Sequence, residues 1–125
     1  MHRILLREVV IDVPEDAFTA TSRFWSGALL AEARRVEDHP EFTALVDPAA
    51  MCWVGLQNVG HAAARLHLDI ETDDVVAEVD RLVALGATVV AQGRAWVVLK
   101  DPAEVLFCVV PHESPWFDER ARTVP

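Results

Sequence analysis

One strand-and-helix pattern occurs twice in this 125-residue chain, and the repetition constrains the fold more than any other feature. Leu6-Arg7-Glu8-Val9-Val10-Ile11-Asp12-Val13 is a short apolar strand that runs into Pro14-Glu15-Asp16. Leu66-His67-Leu68-Asp69-Ile70-Glu71 is a second, and it runs into Thr72-Asp73-Asp74. The helical stretch after each ends near a Gly-Ala pair, Gly27-Ala28 and Gly86-Ala87. Each half later carries an Asp-Pro, at Asp47-Pro48 and Asp101-Pro102. Two copies of one strand–helix–strands unit can curl against each other and leave a cleft, which is where function is to be sought.

The local patterns fill in the units. Leu5 to Val13 reads as a strand with Val9, Ile11 and Val13 on one face and Glu8, Val10 and Asp12 on the other. Ala17, Thr21, Phe24, Trp25 and Ala28 recur at helical spacing, which predicts a helix over Asp16 to Leu30. Ala33 to Glu37 and Phe42 to Val46 read as short strands around a His39-Pro40 turn, and Met51 to Gln57 as a stronger one. In the second half Arg65 to Glu71 is a strand, and Thr72, Asp73 or Asp74 can cap the next helix. Val75, Val79, Leu82 and Val83 fall on one face of that helix, and Gly86 stops it. Thr88 to Ala91, Ala95 to Leu99 and Val105 to Val110 complete the set, with a Gln92-Gly93-Arg94 hairpin turn. The predicted class is α+β: a single domain of two βαβββ modules, about 4–60 and 65–111, forming a curved mixed sheet around a cleft. A polar tail, 112–125, follows, and its Trp116-Phe117 is expected to pack on the domain or on a partner subunit.

Composition narrows the partners. With 52% hydrophobic residues the chain is not disordered. No apolar run approaches the roughly 20 residues needed to span a bilayer. Met1 to Leu6 reaches Arg7-Glu8 too soon for a signal peptide, so the expected compartment is the cytoplasm. Cys52 and Cys108 sit in apolar runs and are expected as reduced, buried thiols. A net charge of −9 repels phosphate backbones and anionic lipid, so neither nucleic acid nor a membrane is an expected partner, whereas a cationic ligand is steered in. Gly-rich phosphate loops, paired C-x-x-C, H-E-x-x-H and G-x-S-x-G are all missing from the sequence.

His67-Leu68-Asp69-Ile70 before Asp73-Asp74, Leu85-Gly86-Ala87, and Trp96 to Pro102 leading to Phe107-Cys108-Val109-Val110-Pro111 resemble the vicinal oxygen chelate superfamily. The closest branch is that of glyoxalase-like domains and bleomycin-resistance-type proteins. The resemblance spans about Ile4 to Pro111 and implies the βαβββ pairing, a ligand cleft and a homodimer. Metal-using members place four donors in the cleft, one on the first and one on the last strand of each module. By motif these positions fall on Glu8, Gln57, His67 and Cys108, and only His67 has its expected type. The glycine of the Asp-Pro-x-Gly-Asn turn usual in the family is missing from Asp101-Pro102-Ala103-Glu104-Val105.

The candidate site residues follow. His67 suits a metal ligand, since neutral imidazole is the commonest one, or a histidine satisfied by a neighbour. Glu8 suits a ligand or a general base, or a residue on a solvated edge. These two are the catalytic candidates, and the metal candidates if a metal binds. Cys108 suits a ligand contact or an activated nucleophile, or a small buried hydrophobe. Gln57 suits a contact to a substrate amide. Trp53 and Trp96 suit an aromatic floor for a flat or cationic ligand, or core filling. Thiolate beside carboxylate is a poor match to the hard or octahedral metals of the superfamily and favours zinc if any metal. The expectation is therefore a small-molecule-binding cleft without a catalytic metal or other cofactor. The alternative is a metal-dependent lyase, isomerase or dioxygenase of the superfamily, with glyoxalase I activity not expected, because that reaction needs Lewis-acid help.

Overall fold

A computed structural model describes residues 1–28, 31–46, 53–102 and 104–124. The chain divides into two compact units, Glu8–His67 and Met1–Arg7 with Leu68–Pro125. β1 (His2–Val13) begins in the second unit and enters the first at Glu8, where it is followed by a 3-10 turn over Glu15–Ala17, α1 (Phe18–Ala28), β2 (Glu32–Val36), β3 (His39–Val46) and β4 (Trp53–Asn58). β1 pairs in parallel with β4, and β3 lies antiparallel between β4 and β2. The α-helix starts at Phe18 rather than Asp16, because Glu15–Ala17 forms a 3-10 turn, whose N-cap Pro14 offers no side-chain hydrogen bond. Met51 and Leu30, which bound predicted elements, Cys52, expected as a buried thiol, and Asp47-Pro48 lie outside the described residues.

The turn between β2 and β3 also differs from expectation. Val36 pairs with His39, so Glu37-Asp38 makes the turn and His39-Pro40 opens β3. A register shift between Arg35 and Val36 leaves Pro40 where no ladder N–H is required. Alternation along the strands then divides the two faces. Val13, Leu45 and Leu56 are buried with Ala31, and Ile11, Ala17, Phe18 and Val54 pack on them. The opposite face carries Glu8, Val10 and Asp12 from β1 beside Trp53, Gly55 and Gln57 from β4, paired in register.

The second unit repeats the order with β5 (Arg65–Thr72), α2 (Val75–Ala84), β6 (Thr88–Gln92), β7 (Val97–Lys100) and β8 (Leu106–Pro111), and β5 begins in the first unit. β5 pairs in parallel with β8, followed by antiparallel β7 and β6. Asp74 caps α2 by accepting from the Ala77 N–H at 3.0 Å. Gly86 ends it with φ +111°, a left-handed conformation open to glycine. Val75, Val79 and Leu82 pack on Val97, Leu99 and Val109. Val83 is exposed, contrary to the predicted stripe, and Glu78 is buried instead. The turn lacking the family glycine closes all the same: Glu104 adopts φ 71°, and Val105 N–H donates to Asp101 Oδ1 at 2.9 Å.

The tail is structured. α3 (Phe117–Arg120) and β9 (Arg122–Val124) follow β8, and β9 pairs antiparallel with His2–Ile4 of β1. Phe117 is buried, stacked on His112 at 4.7 Å and under the Arg3 guanidinium at 5.0 Å. Trp116 is half-buried, with Arg120 over its ring. Buried Glu71 anchors the start of the tail, accepting from the Ser114 hydroxyl and from the backbone N–H groups of Glu113 and Ser114. No helix among the described residues is long and apolar enough to cross a membrane.

Two stability predictions follow from these buried carboxylates. Glu71→Ala leaves three donors without their acceptor and is expected to cost about 2–3 kcal/mol by urea denaturation. It should also make the chain after Pro111 the first site of limited proteolysis, and an unchanged cleavage pattern would refute the anchor. Glu78 provides the second. Burial alone would raise its pKa, but hydrogen bonds from Arg81 and His2 outweigh this and hold it below 4.5. A depressed folded-state pKa stabilises the protein above the unfolded value, and that contribution is lost as pH falls through the folded one. Stability should therefore fall on acidification below about pH 4.5, and Glu78→Gln should flatten that part of the curve.

Candidate functional site

The most unusual feature of the polar faces is that charge is buried where apolar residues would be expected. Along β5, Leu66 is 61% exposed and Leu68 is 42% exposed, while His67, Asp69 and Glu71 are buried. On β1 of the first unit, Asp12 is 1% exposed. A carboxylate loses hydration at that depth and must be compensated by donors.

Arg65 and His67 supply them. Arg65 Nε donates to Asp12 Oδ2 at 3.1 Å, and His67 Nδ1 lies 2.9 Å from the same oxygen. Asp12 Oδ1 is buried too, and no hydrogen-bond partner for it is found among the described residues. Asp12 thus gathers a charge-assisted pair and an imidazole on one oxygen. His67 is itself buried, so the contact fixes the ring's orientation. Asp12 was not among the residues singled out from the sequence.

Glu8 stands two pleats earlier on β1, on the same face and in register with Trp53. Its carboxylate reaches across to β4 and lies over Gly55: a Cβ at that glycine would sit 3.1 Å from Glu8 Oε2. Glycine therefore provides the space that the carboxylate occupies. Trp53 and Gln57 flank Gly55 on the same face of β4, and Gln57 is opposite Asp12. A carboxylate, an indole and an amide thus share one short stretch of sheet. Glu8 is half-buried there rather than on a solvated edge.

In the second unit, buried Asp69 is opposite Cys108. The Cys108 thiol is half-exposed rather than buried between Phe107 and Val109, because alternation turns it to the face opposite theirs. Trp96 is not part of a strand. It closes the hairpin turn, with Gly93 N–H donating to its carbonyl at 2.9 Å and its indole lying directly against Gly93.

Register also relates the candidate positions of the two modules. Val10 pairs with Gly55, and Asp69 pairs with Cys108; Glu8 and His67 each stand two residues before the first member. The counterpart of Cys108 in module one is therefore Gly55, and Gln57 lies one pleat further on. Gly55 itself offers no side-chain donor. Within the second unit, Asp69 and Cys108, ladder partners on β5 and β8, are residues of metal-ligating type. Oxygen and thiolate sulfur together suit zinc better than a hard octahedral ion.

The link from Arg65 to Asp12 is testable through stability. Arg65 is about half exposed, so its removal should cost about 1–2 kcal/mol, less than for a fully buried pair. Urea denaturation of Arg65→Ala measures this, and no loss would mean that His67 alone suffices to hold Asp12.

Comparison with known proteins agrees with this architecture. A family model described as a glyoxalase-like domain matches residues 8–110. Methylmalonyl-CoA epimerase from Mycobacterium tuberculosis superposes with a TM-score of 0.59 at 17% identity, covering 92% of this chain and 91% of that one. A hypothetical protein from Bacillus halodurans superposes at 0.61 and 10% identity, covering 89% and 96%. A Legionella pneumophila protein described as an NAD-dependent benzaldehyde dehydrogenase superposes at 0.62 and 16% identity, covering 85% and 98%. At these identities the likeness shows the fold alone: an α+β mixed sheet of the glyoxalase type. No curated protein matches the sequence.

Proposed function

The chain belongs to the glyoxalase-like domain family, and from that premise we propose that it binds a small organic cation on the face carrying Glu8, Trp53 and Gln57, without needing a metal. The observation that supports this reading is the position of the Glu8 carboxylate over Gly55, between an indole and an amide. A carboxylate neutralises a cation, an indole face attracts it through its quadrupole, and an amide oxygen accepts a hydrogen bond from it. The net charge of −9 favours approach of the same ligand.

Thermal shift with an aromatic ammonium ion and its neutral carbon isostere tests the reading. At a hundredfold excess over Kd, binding adds about 2.7 kcal/mol, a shift of several degrees in a chain this size. The cation is expected to stabilise and the isostere is not. Glu8→Gln and Trp53→Ala should each lose most of the shift. Gly55→Val should lose it too while keeping the strand, because valine favours strands but takes the carboxylate's space. Equal stabilisation by the neutral isostere, or an undiminished shift in Glu8→Gln, contradicts the proposal.

A metal-dependent lyase, isomerase or dioxygenase is a second reading. It draws support from the Asp12 contact to His67 Nδ1, the arrangement that outer carboxylates make with ligating histidines. Zinc, the metal that a Cys108 thiolate favours, would supply Lewis-acid polarisation of a substrate oxygen. Elemental analysis beside His67→Ala separates the readings: stoichiometric zinc lost in the variant favours this one.

A further inference from the structure

We infer that Arg65 is an anion-binding residue on the face that carries Glu8, and that the ligand of this face is an amino acid of one kind: an ammonium at one end of an aromatic spacer and a carboxylate at the other. The cation end rests on the ligand reading above. The anion site rests on Arg65 and Asp12 alone.

Parity places the guanidinium. Arg65 and His67 alternate on β5 with Leu66 and Leu68, so the two share a strand face. Both reach one oxygen of Asp12, which stands on the face of β1 that carries Glu8 and Val10. The Arg65 guanidinium therefore lies over that face, and all of these residues belong to the first unit. Only its Nε is engaged, donating to Asp12 Oδ2 at 3.1 Å, and Nη1 and Nη2 have no partner among the described residues. The side chain is 52% exposed, whereas that of Asp12 is 1% exposed. A charged group that met neither a partner nor water would be strongly destabilising, so the two amino groups belong to the exposed part of the side chain.

The second observation is the form of the ion pair. Arginine and carboxylate commonly pair through two parallel hydrogen bonds. Here Oδ2 has two partners, and buried Oδ1 has none among the described residues. A pair retained only to hold two strands would gain from the second bond, and apolar residues would avoid the unsatisfied oxygen altogether. Local rules are broken in this way chiefly where function requires it. What the arrangement supplies is a guanidinium that is always charged, fixed at Nε and left with two amino groups for a planar acceptor such as a carboxylate. Fixing a long side chain before the ligand arrives lowers the entropy cost of binding.

Charge and spacing select the ligand. A net charge of −9 repels a free anion, so a carboxylate is best held when it arrives on a molecule that carries its own cation. Glu8 and Asp12 are four residues apart on β1, about 13 Å at the rise of a strand. An α-amino acid, with both charges on one carbon, falls short of that separation, whereas an aromatic spacer approaches it.

Two measurements test the inference on the full chain. Calorimetry compares a biphenyl bearing an aminomethyl group at one end and a carboxylate at the other with the same molecule as its carboxamide. Wild type should bind the acid about tenfold more tightly, the gain from a charge-assisted pair. Arg65→Gln should bring the two affinities together, and Arg65→Lys should keep a smaller preference, because an ammonium offers charge without the fork. The ratio is the readout, since a purely structural loss weakens both ligands alike. Equal affinities in wild type, or an undiminished preference in Arg65→Gln, overturn the inference and leave the cation reading standing. If neither molecule binds, the cation reading falls, and the second measurement decides the anion site by itself. Phenylglyoxal condenses with accessible guanidinium groups, and peptide mass spectrometry follows its reaction at Arg65. Arg65 is expected to react in the free chain and to be protected by millimolar benzoate. An unreactive Arg65, or one that benzoate does not protect, overturns the inference.

Discussion

A buried carboxylate that must be neutralised organises the working face of this protein. Asp12 is carried inside on β1 by strand alternation, and it is held there because Arg65 and His67 reach the same oxygen. Once that contact is made, His67 loses its rotational freedom and β5 is tied to β1 through side chains. The arrangement is balanced between cost and compensation. One oxygen has two partners and the other has none among the described residues.

Glu8 and Gly55 show the complementary device. There a side chain has been removed rather than added, and the missing Cβ leaves room for a carboxylate to cross from one strand to the next. The same register position in the other module holds Cys108, opposite an acid. The two modules therefore share a backbone plan, but their polar faces have different chemistry. That difference lies in the side chains. It leaves module one with an anionic and aromatic surface, and module two with a thiol beside a carboxylate.

The repeated backbone was legible in the sequence because it rests on local signals. Strand alternation, the Asp74 cap and the Gly86 stop each lie within a few residues of what they control. Glu8, Trp53 and Gln57 were also legible as candidates, because their parity can be read along their own strands. Asp12 was not: it looks like any polar residue in an alternating strand, and its partners lie 53 and 55 residues away. Gly55 was missed for a similar reason, since its role depends on a neighbouring strand. The missing turn glycine at Glu104 was legible, but not that the glutamate would itself adopt φ 71°, which few side chains do. The tail read as polar, but its order comes from Glu71, Arg3 and β1, all remote in sequence.

The claim that the Glu8 face takes an organic cation without a metal is tested most directly by calorimetric titration of an aromatic primary ammonium ion into the full chain, before and after chelator treatment. The account predicts saturable binding of equal affinity in both samples, weakened in Glu8→Gln. No binding, or binding that appears only when metal is restored, would contradict it.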